Sequence, residues 1–288
     1  EDAASIAYND RNPVWLCGGV EVDSPRGKVI KWSQPEIVLY DDDPFVRMSY
    51  PDLVEEGGRF FLTETQKDIA RVHEVDPSLL HGMWSQFDRA EPALDGLMLE
   101  LPEAGAAVPG EAAMPLLPAF CVRDVGRGDH GTGDLRQGFA LDLWLRFDTL
   151  GAGQVVFDAR TADSRGLALC LTEKARLELR MGDGRTENRW SSDAGLLKRN
   201  VAHHVAVIVD GGPKIITFVV DGRLCDGGDE RQFGWGRFSP FLRDANGAAR
   251  VKIAPRLKGE VLGLRLYGRY LRTSEAVANW RAGPPARA

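Results

Sequence analysis

Long apolar runs are missing from these 288 residues. Nothing approaches the ~20 consecutive apolar residues that a bilayer-spanning helix needs, so no membrane partner is expected. Positive charge is in deficit: Lys and Arg number 36 against 42 Asp and Glu, for a net charge of −6 and a pI near 5.5. That balance argues against a nucleic acid held through its phosphates. Cysteine is scarce, with four residues and no CxxC pair. Cys17, Cys121, Cys170 and Cys225 each lie in or beside an apolar run, as in "VWLCGG" and "LALCLT". They read as small buried hydrophobes; spacing alone names no disulfide, and no zinc site is expected. No strand–helix alternation is visible, which disfavours a parallel α/β fold. The chain opens on Glu1 with no signal peptide in view. It reads as a processed product or a piece of something longer, and the expected location is extracellular or periplasmic.

What is present is strand and turn. Gly 32 and Pro 16 punctuate short β-type runs, and 43% hydrophobic with 27% charged residues is an ordinary globular mix. Residues 1–90 hold "PVWLCGGVEV", "EIVLY", "RFFLTET" and "IARVHEV", enough for one or two four-stranded sheets. A helix is predicted from Asp76 as N-cap with Pro77 at its first position. Residues 91–118, rich in Ala, Pro and Gly, read as a linker, with "LDGLMLELP" able to supply a first strand of the next domain. Residues 119–288 carry eight or more strands and one helix, "RTSEAVANWRA", capped by Thr273 or Ser274. In "ALDLWLRF", Leu141, Leu143 and Leu145 face one way and Asp142, Trp144 and Arg146 the other. The fold class is all-β, with an antiparallel two-sheet sandwich in the second part.

Three stretches of that second part resemble the laminin-G-like, concanavalin A-type jelly roll. They are "GFALDLWLRFDTLGAGQVVFDAR", "NVAHHVAVIVDGGPKIITFVVDGRL" and "GEVLGLRLYGRYLRTSEAVANW". The resemblance covers about half the chain and specifies fold more than function. Adjacent His203 and His204 point to opposite faces of a strand, so they do not ligate one metal together; one ring is expected packed, the other exposed. Acidic loops such as "DGGDE", with Asp226 and Asp229, are solvated turns that could hold calcium; no EF-hand spacing is present, and no other cofactor is expected. Trp190, Phe233, Trp235 and Phe238 lie in polar, Gly-rich loops. They are either sugar-binding platforms or aromatics folded over a sheet edge.

"RNPVWLCGGVEVDSPRGKVIKWSQPEIVLYDDD" resembles a blade of a sialidase-like β-propeller. Its Asp-box turn is degenerate, with Asp23, Gly27 and Trp32 in the matching places. "SYPDLVEEGGRFFLTE" is similar to the segment of that family that carries the nucleophilic tyrosine. The resemblance places Tyr50 on the nucleophile and Arg11 on one arginine of the carboxylate clamp. A phenol with an ordinary pKa near 10 needs a base to become a nucleophile, and the family's activating Glu comes from another blade. Arg47 could reach an anionic ligand or pair with Asp41, Asp42 or Asp43; Glu64 reads as structural. A polysaccharide-lyase propeller, in which Tyr and His serve as base and acid, keeps His73 in view.

Together these features describe the C-terminal portion of a carbohydrate-active protein. Partial propeller blades are followed by a concanavalin A-like sandwich, with a glycan as ligand and upstream blades as partner. The alternatives are a carbohydrate-binding or adhesion module without chemistry, or a sandwich that only closes the propeller ring.

Overall fold

β-Branched and aromatic runs interrupted by glycine form short antiparallel strands throughout the computed structural model. It describes residues 11–41, 46–66, 68–102, 106–121 and 137–285, in two compact units divided between Arg89 and Ala90.

The first unit contains β1 (Val14–Leu16), β2 (Gly19–Ser24), β3 (Gly27–Trp32), β4 (Glu36–Leu39), β5 (Ser49–Glu56), β6 (Arg59–Gln66), β7 (Ile69–Val75) and helix α1 (Pro77–Ser85). The strands pair as β1–β4, β2–β3 and β5–β6–β7. Sheets of two, two and three strands thus replace the four-stranded sheets expected. The reason is visible in β3, every residue of which is exposed, so the β2–β3 hairpin has no buried face to stack within this unit. The Asp-box residues lie here, with Asp23 opposite Lys28 in the register and Trp32 at the end of β3. Gly57 and Gly58, both at positive φ, turn β5 into β6 as a Gly-Gly hairpin requires. The predicted helix forms with its predicted cap: the Asp76 carboxylate accepts from Ser78 N at 2.9 Å. Leu80 and Met83 of α1 pack on Leu62 and Val75 to make the small core.

The second unit begins with β8 (Leu97–Leu101) and β9 (Glu111–Ala113), which are edge strands of two different sheets. There follow β10 (Phe139–Phe147), β11 (Val155–Asp158), β12 (Gly166–Leu171), β13 (Leu177–Gly182), β14 (Glu187–Ser191), β15 (Ala202–Asp210) and β16 (Ile215–Val220). The two-residue strands β17 (Arg223–Leu224) and β18 (Gly236–Arg237) precede β19 (Arg250–Ile253), β20 (Gly259–Tyr267) and helix α2 (Thr273–Ala282). One sheet runs β17-β16-β15-β10-β20-β8, with β18 also on β16; the other runs β14-β13-β12-β11-β19-β9. Leu141, Leu143 and Leu145 of β10 enter the core between the sheets with Phe157, Leu169, Leu179 and Val207. The all-β sandwich expected from the sequence is present.

Helix α2 covers the other face of the β10 sheet, where Ala140, Ala206, Tyr267 and Ala276 form a second apolar cluster. The N-cap is Arg272 rather than Thr273 or Ser274. The cap oxygen comes instead from Glu275 in the first turn, whose carboxylate accepts from Arg272 N at 2.8 Å and takes two bonds from Arg269. Neither helix is long and apolar enough to cross a membrane.

Candidate functional site

In the first unit, Arg11 donates to Ser49 Oγ at 2.7 Å, next to Tyr50. Tyr50 is 83% exposed, with φ at 53°, and its phenol makes no hydrogen bond to a described residue. The structure therefore brings Arg11 and Tyr50 to one end of the β5–β6–β7 sheet. Arg47 is exposed just before β5. Asp42 and Asp43, named above as partners for Arg47, lie outside the described residues. His73, on β7, has its Nε2 3.6 Å from Glu64 Oε1.

The aromatic loop of the second unit is built around Asp193. Its carboxylate accepts from Asp226 N, Gly227 N and the Arg231 guanidinium, the last at 2.7 Å. Asp226 closes a turn onto Gly228 N. Among the described residues, no three His, Cys, Asp or Glu side chains gather as a metal site would require. Trp190 donates its indole N–H to Gly234 O at 2.8 Å and lies 4.7 Å beneath the Arg231 guanidinium. A Cβ on Gly236 would fall 2.2 Å from the same ring, so the indole is anchored in the loop. Phe233 and Trp235 stack with centroids 5.0 Å apart, half-buried, and Arg237 lies over Trp235. Phe238 is buried in the core.

The two histidines do face opposite ways, but both are buried, against the expectation that one would be exposed. His203 accepts from Lys198 N through Nε2, so Nδ1 carries the proton given to Asp221 at 2.7 Å. His204 meets Asp142 on the side that α2 covers, which is why its ring is shut from solvent. The cysteines are all free thiols. Burial pushes Cys121 and Cys225 up to about 12. Cys17 is exposed, in the connection between β1 and β2.

A site not anticipated from the sequence occupies the outward face of the β14–β9 sheet. There a cleft of about 350 Å³ is lined by Arg160, Arg180, Arg189, Arg256, Glu173, Glu178 and Gln154. Val155, Ala168 and Cys170 form an apolar cluster on the same sheet; Val155 and Cys170 line the cleft. Register puts Arg189, Arg180 and Ala168 in one row and Ser191, Glu178 and Cys170 in the next. Three of the four arginines of the cleft are steered by a carboxylate two residues away. Arg160 holds Asp158 at 2.9 and 2.8 Å, Arg180 holds Glu178 at 2.8 Å, and Arg189 holds Glu187 at 2.8 and 3.0 Å. Burial pushes the Asp158 carboxyl up, but the bonds from Arg160 outweigh it and hold it below the usual range. Among the described residues, these pairings leave Arg160 Nη1, Arg189 Nη1 and both Nη of Arg180 without hydrogen-bond partners. The cleft thus offers outward donors and acceptors over a partly apolar floor, the mixture that orients a polar ligand. The only sequence signal was the alternation in "RLELR", whose charged positions lie opposite the core.

No curated protein matches the chain. Among solved structures, the chain is similar to the CBM40 domain of the Ruminococcus gnavus IT-sialidase, at 13% identity and TM-score 0.40, over 58% of this chain and 96% of that one. It is also similar to the leech intramolecular trans-sialidase, at 12% identity and TM-score 0.40, over 67% of this chain and 29% of that one. A third is the botulinum neurotoxin serotype D binding domain, at 10% identity and TM-score 0.40, over 52% and 38%. Residues 128–277, just over half of the sequence, match a laminin-G family of the concanavalin A-like lectins and glucanases. With the sandwich in place, the chain belongs to the concanavalin A-like lectin/glucanases superfamily.

Proposed function

We propose that the second unit is a glycan-binding module and that its ligand sits in the arginine-lined cleft of the β14–β9 sheet. The observation that carries this reading is the cleft itself: four arginines and two glutamates around an apolar floor, on the sheet face opposite the core. Sugars present hydroxyls to such donors and acceptors and an apolar ring face to such a floor. Fixed guanidinium forks lose less entropy on binding than free side chains do. The stacked Phe233–Trp235 pair is the competing platform. A glycan array probed with the full chain, then calorimetry with any glycan retained, decides between them. Arg180→Ala should weaken binding at least about tenfold, as expected for losing a charged hydrogen bond of about 1.5–3 kcal/mol. Trp235→Ala should leave it unchanged; the reverse pattern moves the site to the loop, and no glycan retained overturns the reading.

A second reading is favoured by the exposed Tyr50 phenol beside the Arg11–Ser49 bond. In it the chain belongs to a sialidase-like glycoside hydrolase, with Tyr50 as nucleophile, Arg11 as part of the clamp and further propeller blades beside residues 1–90. Such a protein would act outside the cytoplasm, extracellularly or in the periplasm. Release of sugar by the full-length protein that survives Tyr50→Phe unchanged would remove the nucleophile assignment.

A further inference from the structure

Glu64 is at odds with its surroundings in the first unit. Its side chain is fully buried, on the strand that also buries Leu62, yet neither carboxylate oxygen accepts a hydrogen bond. An acceptor left unmet costs about 1–3 kcal/mol, and more when charged, so packing alone does not account for it. Two side chains of β7 flank Oε1: His73 Nε2 at 3.6 Å and Arg71 Nη1 at 3.7 Å, both beyond hydrogen-bond range. The same Arg71 Nη1 donates instead to Asp41 at 3.4 Å, and the Asp41 backbone is clipped at both ends by the Asn12 side chain. His73 Nε2 is likewise buried without a partner, while 32% of its side chain is exposed.

A second irregularity lies at the same end of the sheet. Ser49 pairs with Thr65 but Asp52 pairs with Thr63, so Tyr50 and Pro51 bulge out opposite Glu64. The bulge holds Tyr50 at positive φ, a conformation that non-glycine residues rarely keep without a reason.

We propose that Glu64 and His73 form a carboxylate–imidazole dyad, a proton-transfer site at the Tyr50 end of the first unit that takes the proton of a ligand hydroxyl. Glu64 is the positioning residue: facing Nε2, it keeps the proton there and leaves Nδ1 as the base on the solvent side. In the step, the ligand O–H bond breaks, its proton passes to Nδ1 to form an N–H bond, and the electron pair stays on the oxygen. The imidazolium charge is offset by the Glu64 carboxylate. The 3.6 Å gap closes to a hydrogen bond when the ligand is seated, as catalytic contacts commonly tighten only in the complex.

Diethyl pyrocarbonate, which acylates an unprotonated imidazole nitrogen, tests this on the full chain, with modification of each histidine followed by mass spectrometry. His73 should react about tenfold faster than the exposed His81 although it is less accessible, a difference equivalent to about 1.4 kcal/mol. Glu64→Gln should abolish that advantage and leave the His81 rate unchanged. Equal rates in the parent protein, or a His73 rate indifferent to Glu64→Gln, overturn the proposal. If Glu64→Gln does not fold, the side-chain ¹⁵N spectrum of the parent decides: a proton on Nε2 supports the dyad and one on Nδ1 overturns it.

Discussion

His204 and Asp142 are joined from adjacent strands by a 2.8 Å bond between Nε2 and Oδ2, and neither side chain reaches solvent. The same carboxylate oxygen accepts from Asn279 of α2 at 2.9 Å, and Asn279 in turn receives Ala93 N and meets the Tyr267 hydroxyl. A buried carboxylate thus pins the C-terminal helix to the middle of a sheet. Removing one partner strands the charge, so His204→Ala should destabilise the second unit by about 3–5 kcal/mol. Urea unfolding followed by circular dichroism measures this. Replacing both residues, Asp142→Leu with His204→Leu, should cost much less than the single change.

The α2 cap makes stability pH-dependent. Burial pushes the Glu275 carboxyl up, but the two bonds from Arg269 and the one from Arg272 N outweigh it, leaving it below its ordinary 4.5. The folded protein therefore binds this proton less readily than the unfolded chain. The stabilisation is present above pH 4.5 and is lost as pH falls through the lower folded value. Acid titration of thermal stability should show a component in that range that Glu275→Gln removes.

Thiol chemistry should separate one cysteine from three. Cys17 is exposed, whereas Cys121, Cys170 and Cys225 are buried. Burial raises the latter three thiols, Cys121 and Cys225 to about 12. Ellman's reagent should titrate one equivalent in the native protein and four in guanidinium. Fast labelling of a Cys17→Ser variant would contradict the burial pattern.

Gly236 is required by Trp190. A Cβ there would lie 2.2 Å from the indole, so Gly236→Ala must displace the ring or the β18 backbone. The expected cost is about 1–3 kcal/mol, as for other overpacked sites. Differential scanning calorimetry checks it, and Trp190→Ala in the same background should recover part of the loss.

Sequence alone determined the features that depend on a few neighbouring residues. Asp76-Pro77 starts α1, Gly57-Gly58 turns β5 into β6, and the alternation from Leu141 to Leu145 points to a sandwich strand. Each follows from backbone geometry and side-chain period, as does the opposition of His203 and His204. Tertiary structure decided what covers each face. Asp142 alternates with core leucines as a solvent-facing residue would, yet Asn279, 137 positions away, seals it in. Glu64 reads as one more polar residue ending a strand, and only the pairing of β6 with β7 sets it beside Arg71 and His73. The arginines of the cleft come from four separate segments, and antiparallel register sets Arg180 beside Arg189. Local propensity acts over one turn or one strand, whereas burial and charge pairing are set by contacts between different elements, from neighbouring strands to the 137 positions between Asp142 and Asn279. The elements were therefore legible in the sequence, and the sites were assembled by the fold.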